Sequence, residues 1–469
     1  MNFKRKLWWA QHRTDVYKYG TILSLVLIVT ISIIYFTYSK FSSTNEMTMY
    51  ETTVEPFIKN DYFIASYIDG EWSNEIPGKD DGYIVDKVVC DNGATATWDD
   101  EEWGINIRNA TQKIKCSVYF KKVIKFELLG KTIISSEVAN DDPDNNIRYI
   151  GANPNNYVYF NCSDYSNQSD STCEKWRIIG VFKNVTKSDG TKEDLVKIIK
   201  DDRLNNTGII WDYKKNGVGT STTDYSSNDW TDSQLMMMLN PTDYLKSGYT
   251  IENNVVKDSK GQAIYQNMGS YYNGTSGCKP SAIASGKNFT CTSIDFTSTG
   301  LKNDLTRNAI ESVVWNLGGA SYFSFRSNGL ASHWYRYERG TAVYSGHATT
   351  GTGKIGLMYP SDYGYATSGG STTDRATCLA RELYNWNVLG VSDCYNNDYL
   401  YKSSYTQWTL ASRSSSSSNV FFVDTDGDVV YYYAYSYEGV RPVAFLKSNI
   451  SITNVGIGTA ESPYQLSVK

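Results

Sequence analysis

Residues 408–446 read WTLASRSSSSSNVFFVDTDGDVVYYYAYSYEGVRPVAFL, and this stretch predicts the end of a mostly β domain. A polar loop at 412–419 carries five consecutive serines. Residues 420–437 predict a hairpin, because Asp426-Gly427 separates two runs of β-prone residues and Asp-Gly favours a type I′ turn with positive φ at both central residues. Residues 439–446, GVRPVAFL, then predict a final apolar strand.

The second strand of this hairpin is rich in tyrosine. Side chains alternate between the two faces of a strand, so tyrosines at every second position share one face. Rigid amphipathic rings beside serine and asparagine side chains are typical of binding loops. We therefore expect a ligand-binding surface, although the tyrosine face could instead pack on a neighbouring sheet. The candidate contact residues are Trp408, Ser414, Ser415, Ser416, Ser417, Ser418, Asn419, Tyr431, Tyr433, Tyr435 and Tyr437.

Length, composition and charge limit the class of protein. The chain has 469 residues, 14% of them aromatic, which is enough apolar material for two or three folded domains. The formal net charge is −5, while the first 20 residues are basic. The remainder is therefore more acidic than the whole, which argues against nucleic acid or an anionic membrane surface as a partner.

An uncharged segment lies near the N-terminus. Residues 20–38 read GTILSLVLIVTISIIYFTY, and a helix of that length, rising about 1.5 Å per residue, spans a bilayer core. Basic residues precede the segment, so the positive-inside rule places residues 1–19 in the cytoplasm and the bulk of the chain outside the cell. No small-residue cleavage site follows. We therefore expect a single-pass protein of the cell membrane rather than a removed signal peptide.

All eight cysteines lie beyond that segment and form four neighbouring pairs. An even number of cysteines outside the cell is typical of disulfides in an oxidising compartment. Zinc is the alternative, but the chain has no CxxC motif and no histidine near the cysteines. The expected disulfides are Cys90–Cys116, Cys162–Cys173, Cys278–Cys291 and Cys378–Cys394.

The succession of polar, β-prone and apolar segments predicts the domain organisation. Short β-prone runs separated by Gly, Pro, Asn and Asp clusters indicate a small β-sandwich-like spacer domain. The acidic segment NDDPDNN then indicates a hinge before a long, loop-rich domain. The expected parts are a cytoplasmic tail (1–19), a transmembrane helix (20–38), a linker (39–60), a small all-β domain (61–122), a hinge (123–145), a large domain (146–449) and a C-terminal tail (450–469).

Three helices are expected in the large domain. SQLMMML at 233–239 follows Asp232, which we expect to be its N-cap. LTRNAIESVVWNL at 305–317 has an apolar stripe at i, i+3, i+4 and i+7. ATCLARELYNW at 376–386 is the third. Strands and short helices together predict the α+β class.

Five phrases carry a resemblance to a known family: RYIGANPNNYVYF at 148–160, WRIIGVF at 176–182, IGLMYPSDYGYA at 355–366, WTLASRS from Trp408 and GVRPVAFL at 439–446. Over residues 146–449 the chain resembles a C-type lectin-like domain, closest to the formylglycine-generating-enzyme branch and to an uncharacterised family of bacterial surface proteins. The resemblance implies an α+β fold whose last strand returns beside its first. It also implies that ligands are contacted by the loops and the hairpin just before that last strand.

The sequence carries no catalytic motif. An oxidase of the formylglycine type, which the resemblance would imply, needs a closely spaced reactive cysteine pair near the C-terminus, whereas Cys378 and Cys394 are 16 residues apart. Neither HExxH nor G-x-S-x-G occurs in the sequence. We therefore expect a protein without enzymatic activity. The alternatives are an extracellular oxidase or hydrolase on the same fold, or a structural envelope protein without a ligand.

Three carboxylates in the hairpin raise the question of calcium. Asp424, Asp426 and Asp428 are spaced i, i+2 and i+4, as in the first half of a calcium loop. An EF-hand loop would continue with Gly at position 429 and Glu at position 435, where this chain has Val429 and Tyr435. A hairpin turn explains the same residues without a metal. We expect no cofactor, with calcium at these three carboxylates as the alternative.

These features predict a membrane-anchored adhesion protein that recognises a ligand outside the cell. The expected partners are an extracellular glycan or protein and, through the N-terminal helix, the lipid bilayer. Nucleic acid is not expected.

Overall fold

The computed structural model divides the chain into two compact units, Met1–Val123 and Ile124–Lys469. In the described part of the chain, strands predominate and the helices of the second unit are short, so the fold class is mixed α+β, as the sequence predicts. The structure describes residues 12–14, 17–31, 62–109, 113–204, 208–212, 227–240, 250–252, 255–257, 263–266, 276–279, 292–295, 301, 304–388 and 390–468.

One helix near the N-terminus is long and apolar enough to cross a membrane. This helix, α1, spans His12–Ile31 with its apolar side chains exposed, and it is the one such helix among the residues that the structure describes. A membrane anchor and a signal sequence can both have this length and apolar composition. Residues 32–38 of the expected transmembrane segment lie outside the described residues.

Beyond α1, the first unit, called the small unit below, consists of a four-stranded sheet and a hairpin. Its strands are β1 (Tyr62–Ile68), β2 (Glu71–Ser73), β3 (Tyr83–Cys90), β4 (Thr95–Asp99), β5 (Gly104–Arg108) and β6 (Ile114–Lys122). The sheet order is β2-β1-β6-β3, and β1 runs parallel to β6. Side chains of β6 alternate between buried and exposed, so only one face of the sheet packs inward. The β4–β5 hairpin covers that inner face, where the rings of Trp98 and Phe120 meet edge to face at 5.4 Å.

The large unit contains twenty-three strands in its described part. They are β7 (Ile124–Leu128), β8 (Lys131–Ser135), β9 (Val138–Ala139), β10 (Ile147–Tyr149), β11 (Tyr157–Phe160), β12 (Glu174–Thr186), β13 (Lys192–Lys200), β14 (Ile209–Ile210), β15 (Thr250–Glu252), β16 (Val255–Lys257), β17 (Ala263–Gln266), β18 (Ser276–Lys279), β19 (Thr292–Asp295), β20 (Val313–Asn316), β21 (Thr350–Gly353), β22 (Ile355–Gly356), β23 (Gln407–Ser412), β24 (Asn419–Val423), β25 (Val429–Tyr433), β26 (Tyr437–Glu438), β27 (Val443–Leu446), β28 (Ser451–Ile452) and β29 (Leu466–Ser467).

Short helices connect these strands. The α-helices are α2 (Gln234–Leu239), α3 (Asp304–Ala309), α4 (Tyr322–Asn328), α5 (Ala331–Glu338), α6 (Pro360–Ala366), α7 (Arg375–Leu379) and α8 (Asp393–Asn396), and 3-10 turns lie at Trp230–Asp232 and Leu383–Asn385. Helix α2 confirms the first expected helix, but its N-cap is Ser233, whose side chain accepts from Met236 N, rather than Asp232.

The central sheet of the large unit is built from apolar strands. Its order is β22-β27-β13-β12-β10-β9, with β11 pairing on β12. Strand β27, from the GVRPVAFL phrase, is fully buried and pairs with β13 and β22 rather than with β10. The expectation that this strand returns beside the first one is therefore wrong. The chain returns later instead, because Tyr464 N donates to Tyr157 O and Tyr159 N donates to Tyr464 O.

The expected helix at 305–317 is wrong over most of its length. The helix ends at Ala309, and β20 follows at Val313–Asn316, paired with β21. Two β-branched valines favour a strand, and Trp315 reaches the core only from that strand, where it is 1% exposed. The expected helix at 376–386 is likewise divided into α7 and the 3-10 turn at Leu383–Asn385.

Two segments expected to lie outside the core belong to it. The expected hinge, 123–145, contains the β7–β8 hairpin, whose Phe126 and Leu128 are buried in the core of the large unit. The expected C-terminal tail, 450–469, contains β28 and β29, and Ile450 and Leu466 are buried in the same core. Both segments carry enough apolar side chains to be packed rather than solvated, a pattern that the flanking acidic and polar residues conceal.

Three of the four expected disulfides are confirmed. Cys90–Cys116, Cys162–Cys173 and Cys378–Cys394 are each at bonding distance. The first joins β3 to β6, and the second closes the loop between β11 and β12. Cys291 lies outside the described residues, so the expected Cys278–Cys291 bridge does too.

A buried charge network connects the elements of the large unit. The Asp362 carboxylate in α6 accepts from Arg148 Nη1 at 2.8 Å and pairs with Lys197 of β13. Arg148, from β10, also donates from Nε to Asp142 at 2.6 Å. All four side chains are at most 2% exposed. Because buried charges must be paired, these contacts fix β10, β13 and α6 in one arrangement.

Glu338 is a second buried carboxyl beside this network. It lies at the end of α5, is fully buried, and accepts from Ser361 N at 2.8 Å and from the Ser361 hydroxyl. Burial raises the pKa of Glu338 from 4.5 to about 7, although Arg339 and the two Ser361 bonds oppose the shift. The protonated form of Glu338 is therefore the one that the fold prefers.

Replacing Glu338 should change the pH dependence of stability. A raised carboxyl pKa means that the folded state holds an extra proton, so the stabilisation present below the unfolded-state pKa is lost as the pH rises through about 7. Glu338→Gln keeps an acceptor for Ser361 without the charge. We expect the variant to reduce the decline in the free energy of unfolding across this window by ~3 kcal/mol, measured by urea denaturation at a series of pH values.

The matched control is Glu311→Gln, which removes a partly exposed carboxylate from the same unit. It should leave the decline almost unchanged. An identical pH dependence of the free energy of unfolding in Glu338→Gln and the unmodified protein would contradict a raised pKa at Glu338.

Candidate ligand-binding surface

The predicted hairpin exists, but its turn and its second strand differ from expectation. β24 and β25 pair from Asn419–Tyr433 to Val423–Val429. In the loop between them only Gly427 has positive φ, at 89°, and Gly427 N donates to Asp424 O at 3.1 Å. The connection is thus longer than a type I′ turn.

The four tyrosines do not share one strand face. β25 ends at Tyr433, the chain turns through residues 434–436, and β26 pairs separately with β14. The turn forms because Ala434 is fully buried, with its N–H bonded to Ser418 O and its carbonyl bonded to Asp212 N. Period-two alternation cannot continue through such a turn.

Each tyrosine therefore has its own environment. Tyr431 is half-buried against Phe325 and Phe421, with ring centroids 5.4 and 5.8 Å away. Tyr433 and Tyr435 stack on each other at 5.1 Å. Tyr437 is 69% exposed, and Tyr432, which the alternation pattern omitted, is 51% exposed. The tyrosine segment thus combines core packing with open ring surface.

Trp408 does not belong to the contact surface. Its side chain is 1% exposed, its Nε1 donates to Ile209 O at 2.9 Å, and its ring packs edge to face on Trp211 and Phe422. The expectation that Trp408 contacts a ligand is wrong, because β23 has both faces covered.

The serine loop is held in place by a buried asparagine. The Asn228 side-chain amide lies within hydrogen-bonding distance of three loop carbonyls, those of Arg413, Ser416 and Asn419, at 3.3, 2.8 and 2.7 Å. Within the loop, Ser415 and Ser417 are exposed, Ser414 and Ser416 are half-buried, and Ser418 and Asn419 are buried. The loop therefore presents two exposed serine side chains, Ser415 and Ser417, on a backbone of defined shape.

Two arginines and three tyrosines form a continuous surface beside this loop. The Arg413 guanidinium lies 4.4 Å from the ring centre of Tyr431 and 5.4 Å from that of Tyr322. Arg326 lies over Tyr384 at 4.3 Å and donates to the hydroxyls of Tyr322 and Tyr384. We call this the Arg–Tyr surface; it consists of Tyr322, Arg326, Tyr384, Arg413, Ser415 and Tyr431.

The charge of this surface is not neutralised by carboxylates of the described residues. In the part of the chain that the structure describes, neither Arg326 nor Arg413 is ion-paired with a carboxylate. Arg413 donates instead to Ser415 Oγ at 3.0 Å and to Asn419 Oδ1 at 3.3 Å. Phe323, 78% exposed, follows Tyr322 on the same helix. The surface thus presents positive charge and an apolar ring together.

The three aspartates of the hairpin are not brought together as a ligand group in the described structure. Within the described residues, no group of three or more His, Cys, Asp or Glu side chains could hold a metal ion. Asp428 is buried and accepts from Asn387 N at 2.8 Å, and burial raises the pKa of Asp428 to about 7. Asp424 accepts from Thr425 N at 2.6 Å. These contacts engage the carboxylates within the fold, and calcium at this hairpin stays a prediction.

The tip of the hairpin is tied to the body of the unit. The hydroxyl of Tyr363 donates to Gly427 O at 2.7 Å, and that of Tyr401 donates to Thr425 O. A Cβ at Gly427 would lie 2.4 Å from the ring of Tyr395, so no larger residue fits at this position. The positive φ of Gly427 also favours glycine. These contacts orient the hairpin rigidly.

A separate cavity of about 130 Å³ lies beside the buried charge network. Its lining includes Lys197, Tyr335, Arg339, Asn184 and Trp315. Burial lowers the pKa of Lys197 to about 8, against the opposing effect of Asp362. The sequence carries one signal for this site, a single lysine within the apolar run of β13.

The structure thus brings together only part of the predicted site. It keeps the serine loop and Tyr431, removes Trp408 and adds Arg326, Tyr322 and Tyr384, which precede the hairpin in the sequence. The i, i+4 spacing of Tyr322 and Arg326 was the signal in the sequence that could have indicated their contact.

No protein-family model matches the chain, and neither a curated protein nor a solved structure matches it.

The environments of Tyr431 and Tyr432 predict unequal losses of stability when each ring is removed. Tyr431→Ser removes a ring that packs on Phe325 and Phe421, so we expect a loss of about 2–4 kcal/mol in the free energy of unfolding. Tyr432→Ser removes a ring that is mostly exposed, so we expect a change within about 0.5 kcal/mol. Urea denaturation of both variants measures the difference, and equal losses would contradict this division of the tyrosines.

Proposed function

We propose that this protein is a single-pass cell-surface protein that recognises an extracellular glycan or protein and catalyses no reaction. Helix α1 anchors the chain with residues 1–19 in the cytoplasm, and the strands of the small unit and the whole large unit lie outside, where disulfides form. The large unit takes a C-type lectin-like fold. Its α+β content and the return of the chain at Tyr464 to β11 support this.

The observation that carries the proposal is the pair of guanidinium groups, Arg326 and Arg413, which lie on tyrosine rings without a carboxylate partner in the described residues. Arginine and tyrosine are enriched among the residues that dominate binding energies at interfaces. A guanidinium binds carboxylate, sulfate or phosphate through paired hydrogen bonds. The proposed ligand therefore offers an acidic group to the Arg–Tyr surface.

Rigidity supports a binding role for the same surface. Asn228 fixes the serine loop, and Tyr363 fixes the tip of the hairpin. A surface that is ordered before binding loses less conformational entropy when the ligand arrives. The exposed serine hydroxyls then add hydrogen bonds without reordering the backbone.

Two other functions fit fewer observations. An enzyme on the same fold is favoured by the cavity beside Lys197, but an oxidase needs a free cysteine pair, and Cys378 is bonded to Cys394. A structural protein without a ligand would bury its tyrosines, whereas Tyr432 and Tyr437 are more than half exposed. Ligand recognition accounts for both the open rings and the two arginines that have no carboxylate partner in the described part of the chain.

The test is a binding screen with the full-length chain in detergent micelles, against arrays of acidic and neutral glycans and against whole cells. The double variant Arg326→Gln, Arg413→Gln removes both charges and keeps hydrogen-bonding groups. Because a hydrogen bond to a charged group contributes about 1.5–3 kcal/mol, we expect affinity to fall at least about tenfold. Binding should favour acidic ligands over their neutral counterparts.

The matched control is Arg203→Gln, which removes a guanidinium that lies 4.4 Å from the ring centre of Tyr405, outside the Arg–Tyr surface. It should bind as the unmodified protein does. Equal affinity of the double variant and the control, with unchanged melting temperatures, would place the binding site elsewhere.

A further inference from the structure

The outer face of the small unit's sheet is open. The β4–β5 hairpin covers the inner face, and the strand register defines what remains outside. Across the four strands, Trp72 pairs with Tyr67, Tyr67 with Tyr119, and Tyr119 with Lys87. Tyr67 and Tyr119 stack at 4.7 Å. One row of the outer face is thus three aromatic rings followed by a lysine.

The outer face is unusually apolar for a surface in water. Trp72 is 58% exposed and Phe63 is 55% exposed, and Ile84 and Val89 on β3 are exposed as well. The outer positions of a half-buried sheet normally carry polar side chains. Four large exposed apolar side chains on one face indicate an interaction surface.

The charge of the outer face is opposite in sign to that of the chain. Lys87, Lys115 and Lys121 are exposed there, and none of the positions paired in register on this face is acidic. Asp86 lies in the bulge of β3, outside the paired register. Lys87 lies over Tyr119 at 4.6 Å, and Lys115 lies over Phe63 at 5.7 Å. The net charge of −5 argued against an anionic membrane surface as a partner, but it averages over the whole chain, whereas this one face is basic and attracts anions.

We propose that the outer face docks on an anionic lipid bilayer, beside the helix that anchors the chain. Tryptophan and tyrosine prefer the membrane–water interface, and lysines bind anionic headgroups. Thirty residues separate Ile31 from Tyr62, a length of chain that spans at most about 100 Å, so the anchored small unit reaches the membrane surface. The inference rests on the membrane anchoring proposed above.

The apolar side chains favour lipid over an acidic polymer. A charged polysaccharide would contact the lysines and gain little from Ile84 and Val89, which offer it no hydrogen bonds. A bilayer surface accepts both kinds of side chain, because apolar groups enter the acyl boundary while lysine amines remain at the headgroups.

The experiment places an environment-sensitive fluorophore on the outer face of the full-length chain. Ile84→Cys provides the labelled position. Asp100→Cys provides a control in the turn between β4 and β5, the hairpin that covers the inner face of the sheet. Each labelled protein is inserted into nanodiscs of zwitterionic lipid alone or with about a third of anionic lipid. Co-elution with the discs reports anchoring independently of docking.

We expect the emission of the label at position 84 to shift to the blue in anionic nanodiscs only, and high salt to reverse the shift. The label at position 100 should not respond. The triple variant Lys87→Gln, Lys115→Gln, Lys121→Gln should lower the docking constant about 100-fold, since each lysine near an anionic surface contributes about fivefold.

Two results would overturn the proposal in chains that co-elute with nanodiscs. The first is identical emission in both kinds of disc, or a triple variant that still shifts. The second is a shift in zwitterionic discs on adding dextran sulfate with none in anionic discs, which would assign the face to an acidic polymer. Failure to co-elute would refute the anchoring and, with it, the docking.

Discussion

The Asp362 carboxylate is the group on which the large unit depends. It accepts from Arg148 of β10, Lys197 of β13 and the backbone N–H of Tyr359, all within the core. Removing one partner of a buried ion pair costs about 3–5 kcal/mol, because the other charge is left desolvated. The carboxylate therefore specifies one arrangement of strands and helix, since alternative packings would leave Lys197 buried without a counterion and Arg148 paired with Asp142 alone.

Helix α6 transmits this arrangement to the proposed binding surface. Asp362 fixes the start of the helix, and the next residue, Tyr363, holds the hairpin tip through Gly427 O. One residue further, a Cβ at Gly364 would lie within 3.0 Å of both Ala331 and Leu383, so the helix packs closely on α5 and on the 3-10 turn that carries Tyr384. One buried helix thus positions both the hairpin and a ring of the Arg–Tyr surface.

Local patterns in the sequence predicted the α+β class, three disulfides, helix α2 and the β24–β25 hairpin, because propensity and turn residues determine those features over short distances. The failures involve long-range contacts. The strand at Val313–Asn316 forms by pairing with β21. The tyrosine strand ends at the turn through Ala434, because the residues after that turn, Tyr437–Glu438, pair with β14. Trp408 looked like a contact residue, but a β-strand covered on both faces has no outer side.

The site was predicted only in part for the same reason. The serine loop and Tyr431 lie within residues 408–446. Arg326 and Tyr384 lie outside that stretch, in α4 and in the 3-10 turn at Leu383–Asn385. A sequence pattern cannot show that a guanidinium lies over a distant ring. The resemblance to C-type lectin-like domains implied this hairpin as a candidate site, and its ligand-binding role stays a prediction.

A double-mutant cycle of Asp362→Asn and Lys197→Met, read by urea denaturation, tests the central claim most directly. The account predicts that the two substitutions are strongly non-additive, with a coupling energy of about 2 kcal/mol or more. The same cycle at the partly exposed pair Lys187–Glu193 should give about 0.5 kcal/mol or less. Additivity of the Asp362 and Lys197 substitutions within about 0.5 kcal/mol would contradict the claim that this carboxylate organises the large unit.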